Sequence, residues 1–283
     1  MIVRITRLLT AFSLLAILFA CGGEDAQRNQ NMHDNAGDLD AAAEAADVPQ
    51  EAVMEPMTIG SVTLSVMPAT HDFPNAKLTD WTYDKGTFNY VVNDYDFAVP
   101  TPDAESLMCA NSDKGQHAHL IINNEPYIAK YEPNFKMELP DGTHHILTFL
   151  SRSYHESIKN GTAYRAVKAA VKDNAFTETA DIETPMLFYS RPKGSYKGKR
   201  ATENVMLDFY PVNAELSEDG YYVAASVNGA EPFKITKWQP YYLTGLPMGE
   251  NTVKLTLMKG DEMVDTPLNP VSRTFTLEKL PTE

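Results

Sequence analysis

Apolar and polar positions alternate through most of the chain from Met57 onward. The runs SVTLSVM (61–67), TFNYVVNDYDFAV (87–99), HAHLII (117–122), KMEL (136–139) and HHILTFL (144–150) are rich in β-branched and aromatic residues, with turn residues between them. That pattern predicts strands lying in sheets. Pro140-Asp141-Gly142 supplies turn chemistry between two of the strands. Helical spacing occurs once in this half, over 162–172, where Tyr164, Val167, Ala170 and Val171 recur at three- and four-residue intervals. It predicts a short helix across an edge or end of a sheet. A strand at 186–189 is expected to close the first domain, and VMLDFY, YYVAASV, TVKLTL and SRTFTL give the strands of the second half.

The second half repeats the first. NNEPYIAKYEPNFKMELPDGTHHILTFL (123–150) aligns with NGAEPFKITKWQPYYLTGLPMGENTVKLTL (228–257). Glu125-Pro126-Tyr127 matches Glu231-Pro232-Phe233, Tyr131-Glu132-Pro133 matches Trp238-Gln239-Pro240, and Leu139-Pro140 matches Leu246-Pro247. Three matches in order at a nearly constant offset point to duplication. Strands at this spacing, bounded by proline and glycine turns, predict an all-β fold: two tandem immunoglobulin-like antiparallel β-sandwiches, with one short helical insertion in the first. The expected boundaries are 57–190 for the first sandwich, 191–203 for a basic interdomain linker and 204–283 for the second sandwich.

The N-terminus is of a different kind. Arg4 and Arg7 precede the apolar run LLTAFSLLAILF (8–19), which stops at Ala20-Cys21. An apolar core of roughly 14 residues is short of the ~20 that a spanning helix needs, and reads as a secretory signal over 1–20. Leu18-Phe19-Ala20-Cys21 resembles the lipobox of bacterial lipoproteins, which implies that Cys21 carries a lipid and becomes the first mature residue. Residues 21–56 follow as an acidic tether: nine acids (Glu24, Asp25, Asp34, Asp38, Asp40, Glu44, Asp47, Glu51, Glu55) stand against Arg28 alone, with no aromatic residue. A segment so poor in apolar surface is expected to be disordered, with an r.m.s. span on the order of 30–35 Å.

The formal charge of −14 argues against nucleic acid as a partner. Once Cys21 is lipidated, Cys109 is the single remaining cysteine, so no internal disulfide can form. GQHAHLIINNEPY, FLSRSYHESIK, TPMLFYSRPKG and TENVMLDFYPVN resemble a family of Gram-negative envelope lipoproteins of two β-sandwich repeats, some labelled phosphopeptide-binding proteins. The resemblance implies a lipid-anchored protein at the outer membrane, on its periplasmic or surface face, and carries over no catalytic residue.

Two constellations carry candidate chemistry. His117 and His119 alternate on one strand, so both side chains point to the same face, about 6.6–7 Å apart at the backbone. Two imidazoles so placed can converge on one metal ion. His144, His155 and Cys109 are the candidate further ligands, and imidazole with sulfur would suit copper or zinc. The repeat places Tyr222 and Ala224 where His117 and His119 stand, and Asn251 where His144 stands, so the scaffold itself does not demand histidine.

The second constellation, SRPKGSYKGKR (190–200), holds Arg191, Lys193, Lys197, Lys199 and Arg200 without an acid. With Arg152 nearby it is a candidate site for an anionic peptide or glycan, or for another envelope protein. Trp238, Tyr241, Tyr242, Tyr221 and Tyr222 are candidates either for a binding platform or for core packing. Ser151, Ser153 and His155 lie close in sequence, yet no catalytic motif accompanies them, and no enzyme activity is expected. The expected function is therefore non-catalytic binding of an anionic ligand by an envelope lipoprotein, with no resident cofactor. The alternative is a copper- or zinc-binding lipoprotein using the His-x-His strand face.

Overall fold

The computed structural model describes residues 54–281, so the expected signal, Cys21 and all but the end of the acidic tether lie outside the described residues. The chain is all-β. It opens on β1 (Met57–Ile59) and β2 (Val62–Val66), followed by β3 (Lys77–Asp84), β4 (Thr87–Asn93), β5 (His117–Ile122), β6 (Ile128–Lys130), β7 (Asn134–Lys136), β8 (Gly142–Ser151), β9 (Tyr164–Lys172) and β10 (Ala175–Asp181). The second half carries β11 (Met186–Arg191), β12 (Gly194–Lys197), β13 (Val205–Val212), β14 (Tyr221–Val227), β15 (Phe233–Ile235), β16 (Tyr241–Thr244), β17 (Gly249–Lys259), β18 (Glu262–Met263) and β19 (Val271–Glu278). Helix among the described residues is confined to a 3-10 turn at Ala104–Ser106 and one α-helical turn, α1 (Lys199–Thr202).

The duplication is visible in the strand order. In the first sandwich β3-β4-β7 faces β10-β9-β8-β5-β6. In the second, β1-β2-β16-β13-β11 faces β12-β19-β17-β14-β15. With β12 and β18 set aside, the first, second and fifth strands of each repeat share one sheet, and the seventh, sixth, third and fourth follow in that order in the other. This is the immunoglobulin-like arrangement. Register agrees as well: His119 lies opposite Phe149 as Ala224 lies opposite Thr256, and His117 opposite Ser151 as Tyr222 opposite Met258.

Both repeats also share one polar clasp. Asn123 Oδ1 accepts from the His145 N–H at 2.9 Å, its Nδ2 meets His144 Nδ1 at 2.9 Å, and His144 Nε2 donates to the Pro140 carbonyl at 2.8 Å. In the second repeat Asn228 Oδ1 accepts from the Thr252 N–H at 2.8 Å, its Nδ2 donates to Asn251 Oδ1 at 2.8 Å, and Asn251 donates to the Pro247 carbonyl at 2.8 Å. Asparagine thus does in one repeat what His144 does in the other. Replacing His144 by asparagine is expected to cost about 1 kcal/mol or less in a denaturant titration, because both hydrogen bonds have a geometric substitute.

Three expectations are corrected. Residues 162–172 form strand β9, not a helix: Val167, Ala169 and Val171 are buried in period two, and the ladder to β8 runs from Gly142↔Val171 to Phe149↔Tyr164. Asp173 and Asn174, both at positive φ, then make the tight hairpin turn into β10. The domain boundaries shift as well. Residues 57–66 and strand β11, placed in 57–190 by the sequence, pair within the second sandwich through β16 and β13. The stretch 191–203 is no free linker, because β12 runs parallel to β19 along Gly194↔Phe275 to Lys197↔Glu278. Tyr196, between exposed Ser195 and Lys197, has its ring buried against Phe275.

Strand β5 is buried on both faces. Ala118 and Leu120 join the core of the first sandwich, with Phe88, Ile146 and Val167. Ile121 joins a second cluster with Leu147, Phe149, Phe188 and Tyr210, in which β5 and β8 of the first repeat meet β11 and β13 of the second. His117 and His119 therefore lie between the two sandwiches, out of water.

Candidate metal centre

The period-two geometry of β5 aims both histidines at that interface, and the structure brings a third to them. His117 Nε2 stands 3.0 Å from His119 Nε2 and 2.9 Å from His155 Nδ1. The three donor nitrogens all lie within 4.8 Å of one another. Two nitrogens bound at about 2.0–2.1 Å stand about 2.9 Å apart at a right angle and about 3.3 Å apart at the tetrahedral angle. The two close separations, which are also the lengths of N–H···N hydrogen bonds between neutral rings, are short enough for all three nitrogens to reach one ion.

Each ring is held from behind. His117 Nδ1 donates to the Gly115 carbonyl at 2.8 Å, which fixes the hydrogen on Nδ1 and leaves the Nε2 lone pair facing its neighbours. Gly115 has φ +81°, and a Cβ there would stand 2.7 Å from backbone atoms of Ala98 and Val99, so only glycine lets this carbonyl reach the ring. His119 Nδ1 meets Ser190 Oγ at 3.2 Å, and its ring stacks on Tyr127 with centroids 3.6 Å apart and planes 4° apart. Ser190 sits where the β11–β13 register shifts between Tyr189 and Arg191. The bulge turns its hydroxyl toward β5.

His155 comes from the loop after β8. It has φ +71°, a left-handed conformation uncommon outside glycine, and its N–H donates to the Arg152 carbonyl at 2.9 Å. Three contacts hold the loop in that shape. Arg152 pairs with Glu156 at 3.4 Å and donates to the His71 carbonyl at 2.8 and 2.6 Å. Ser157 Oγ donates to Asp208 Oδ1 at 3.0 Å. Fully buried Asp208 on β13 also binds Lys159.

Burial pushes the His117 imidazolium down to about 4, with the positive charges of Arg191 and Lys193 adding to it. His119 and His155 are held well below their ordinary value, first by burial and then by neighbouring imidazoles and Arg191. All three are thus neutral at pH 7. A hydroxyl that both donates and accepts at His119 Nδ1 lets the ring hydrogen move to that side, freeing Nε2. Three imidazole lone pairs can then face one point.

Of the other predicted ligands, His144 is engaged in the clasp described above. Cys109 is buried with Met67, Leu107 and Tyr242, outside the set of converging donors, and burial raises its thiol. The basic residues disperse. Lys197 pairs with Glu278 at 3.0 Å, Lys199 with Glu203 at 3.9 Å and Arg200 with Glu105 at 3.2 Å. Arg152 is committed to the His155 loop. Arg191 and Lys193 alone stand beside the histidines: the Lys193 ammonium donates to the Tyr127 carbonyl at 2.8 Å and lies 3.9 Å from the centre of its ring. Trp238 packs on Tyr210 and donates to the Phe209 carbonyl, while Tyr241 and Tyr242 are buried, so these aromatics are core. Ser151 Oγ donates to the His117 carbonyl, away from any base. Gly115, Tyr127, Ser190 and Asp208 carried no sequence signal for the site.

No family model matches the chain, and no curated protein matches it. Among solved structures it is similar to the fibronectin(III)-like modules of Clostridium thermocellum CbhA (12% identity, 78% of this chain and 96% of that one, TM-score 0.27). It is also similar to the central fibronectin-III array of RIM-binding protein (10% identity, 76% and 72%, TM-score 0.26). Likeness at these TM-scores says nothing about function.

Proposed function

We propose that the protein is a non-catalytic, lipid-anchored envelope protein that holds one copper or zinc ion on His117, His119 and His155. The convergence of three neutral imidazoles, two buried and one half-buried, at 2.9 and 3.0 Å carries this reading. Here the inward nitrogens face one another, His155 Nδ1 also meeting the Tyr127 hydroxyl at 3.3 Å, while Gly115 and Ser190 hold the outer nitrogens of His117 and His119 and a left-handed backbone sets His155.

Titrating the full chain with copper(II) and zinc(II) tests the reading. The expected result is one tight equivalent, with stability raised by about 2.7 kcal/mol at a hundredfold excess over Kd, roughly 5–10 °C in Tm. No stoichiometric binding and an unshifted Tm would overturn it. The anchor rests on the lipobox-like sequence at Cys21. Radiolabelled fatty acid is expected to be incorporated by the parent and not by Cys21→Ser; equal labelling of the two would remove the anchor.

A further inference from the structure

The deepest unanswered charge beside the histidines is Arg191. The residue is 6% exposed, yet its guanidinium makes one hydrogen bond, Nε to the Tyr196 hydroxyl at 3.1 Å, and its Nη1 is buried without a partner among the described residues. A guanidinium has five N–H donors in a rigid fork, and an unpaired buried charge is costly. The acids around it are otherwise engaged. Asp208, opposite Arg191 in the ladder, binds Lys159 and Ser157, Glu105 pairs with Arg200, and Asp113 is exposed at the rim.

Arg191 lines a cleft of about 500 Å³ together with His155, Asn111, Ser195 and Tyr196. The metal ligand and the guanidinium with its unpaired Nη1 thus open on one space. Three neutral imidazoles leave a divalent ion its full charge, with Arg191 and Lys193 adding two more beside it. No carboxylate among the described residues joins the donor set. Such a site has a strong electrostatic demand for a negative ligand, and a planar fork beside a metal's open position suits an oxyanion.

We infer that the cleft is a subsite for a small oxyanion, a phosphate or carboxylate group, held between the metal on the three histidines and the Arg191 guanidinium. The inference rests on the metal reading above and gives it a ligand class. Asn111 Oδ1, buried and unpartnered in the same cleft, places one polar amide where it can turn its NH2 to that ligand.

The test uses the full chain, copper-loaded and metal-free, with inorganic phosphate and acetate as probes, in the parent, Arg191→Met and Arg191→Lys. Copper-loaded parent is expected to bind one anion. Affinity is expected to fall at least tenfold in both variants while copper stoichiometry stays at one, and the tighter probe identifies phosphate or carboxylate as the group recognised. Should Arg191→Met fail to fold, Arg191→Lys carries the test, since it keeps the charge and loses the fork. Equal anion affinity in parent and variants, or no anion bound by copper-loaded parent, would overturn the subsite and leave the metal site standing. Anion binding by metal-free protein as tight as by the loaded form would contradict bridging. Failure to bind copper at all overturns the metal reading itself.

Discussion

Replacing His117 by alanine is expected to weaken copper binding at least a hundredfold while the protein stays folded. Its Nε2 is the nitrogen shared by both close approaches, 3.0 Å to His119 and 2.9 Å to His155. Without it the remaining two donors lose the one that lies between them. Loss of outer contacts alone typically costs metal sites 10–100-fold, so loss of a ligand sets at least the upper end of that range. The fold tolerates the change because Tyr222 occupies the equivalent register position in the second repeat, where no imidazole is needed. Competition against a chelator of known affinity reads the loss, and the near-ultraviolet circular dichroism of the variant confirms its packing. An unchanged affinity would mean that copper binds elsewhere.

Removing the Asp208 carboxylate is expected to give the largest loss of stability of any single polar change near the site. Asp208 is fully buried, receives the Ser157 hydroxyl at 3.0 Å and binds the Lys159 ammonium. Breaking a buried pair by deleting one partner costs about 3–5 kcal/mol, because the other charge is left uncompensated. The Lys159 side chain is 14% exposed and partly reaches water, which places Asp208→Ala toward the lower end, about 3 kcal/mol. The same carboxylate ties the His155 loop to β13, so copper affinity should fall with it by about 10–100-fold. A denaturant midpoint that moves by less than about 1 kcal/mol would show that the pair holds nothing together.

Much of the fold was legible because the two signals that specify sandwiches, period-two burial and turn residues, run through nearly every strand. The repeat was legible for a further reason. Its matching residues are turn and clasp positions such as Pro140 and Pro247, whose backbone geometry both copies must preserve. Strand β9 was misread because Tyr164, Val167, Ala170 and Val171 satisfy a three-to-four spacing while Val167, Ala169 and Val171 satisfy an alternation, and the partner strand makes the choice. The boundaries failed where pairing is non-local: nothing near residues 57–66 says that their partner is β16, more than 170 residues on.

The site divides in the same way. His117 and His119 were readable from local geometry, since a strand fixes what faces what at i and i+2. His155 was a candidate, but its left-handed backbone and its approach to β5 depend on Arg152, Glu156 and Asp208 across the interface. His144 looked like a ligand and is a clasp residue, as its counterpart Asn251 shows. The basic run 190–200 looked like one patch. A β-strand and a helical turn point its side chains in different directions, and acids elsewhere in the chain meet all but two of them.

The central claim is that three imidazoles of this chain share one ion, and pulsed EPR of the copper(II)-loaded full chain counts them directly. The account predicts modulations from three coordinated imidazoles in the parent, falling to two in His155→Ala. Copper bound by one imidazole, or a count that does not change in His155→Ala, would contradict it.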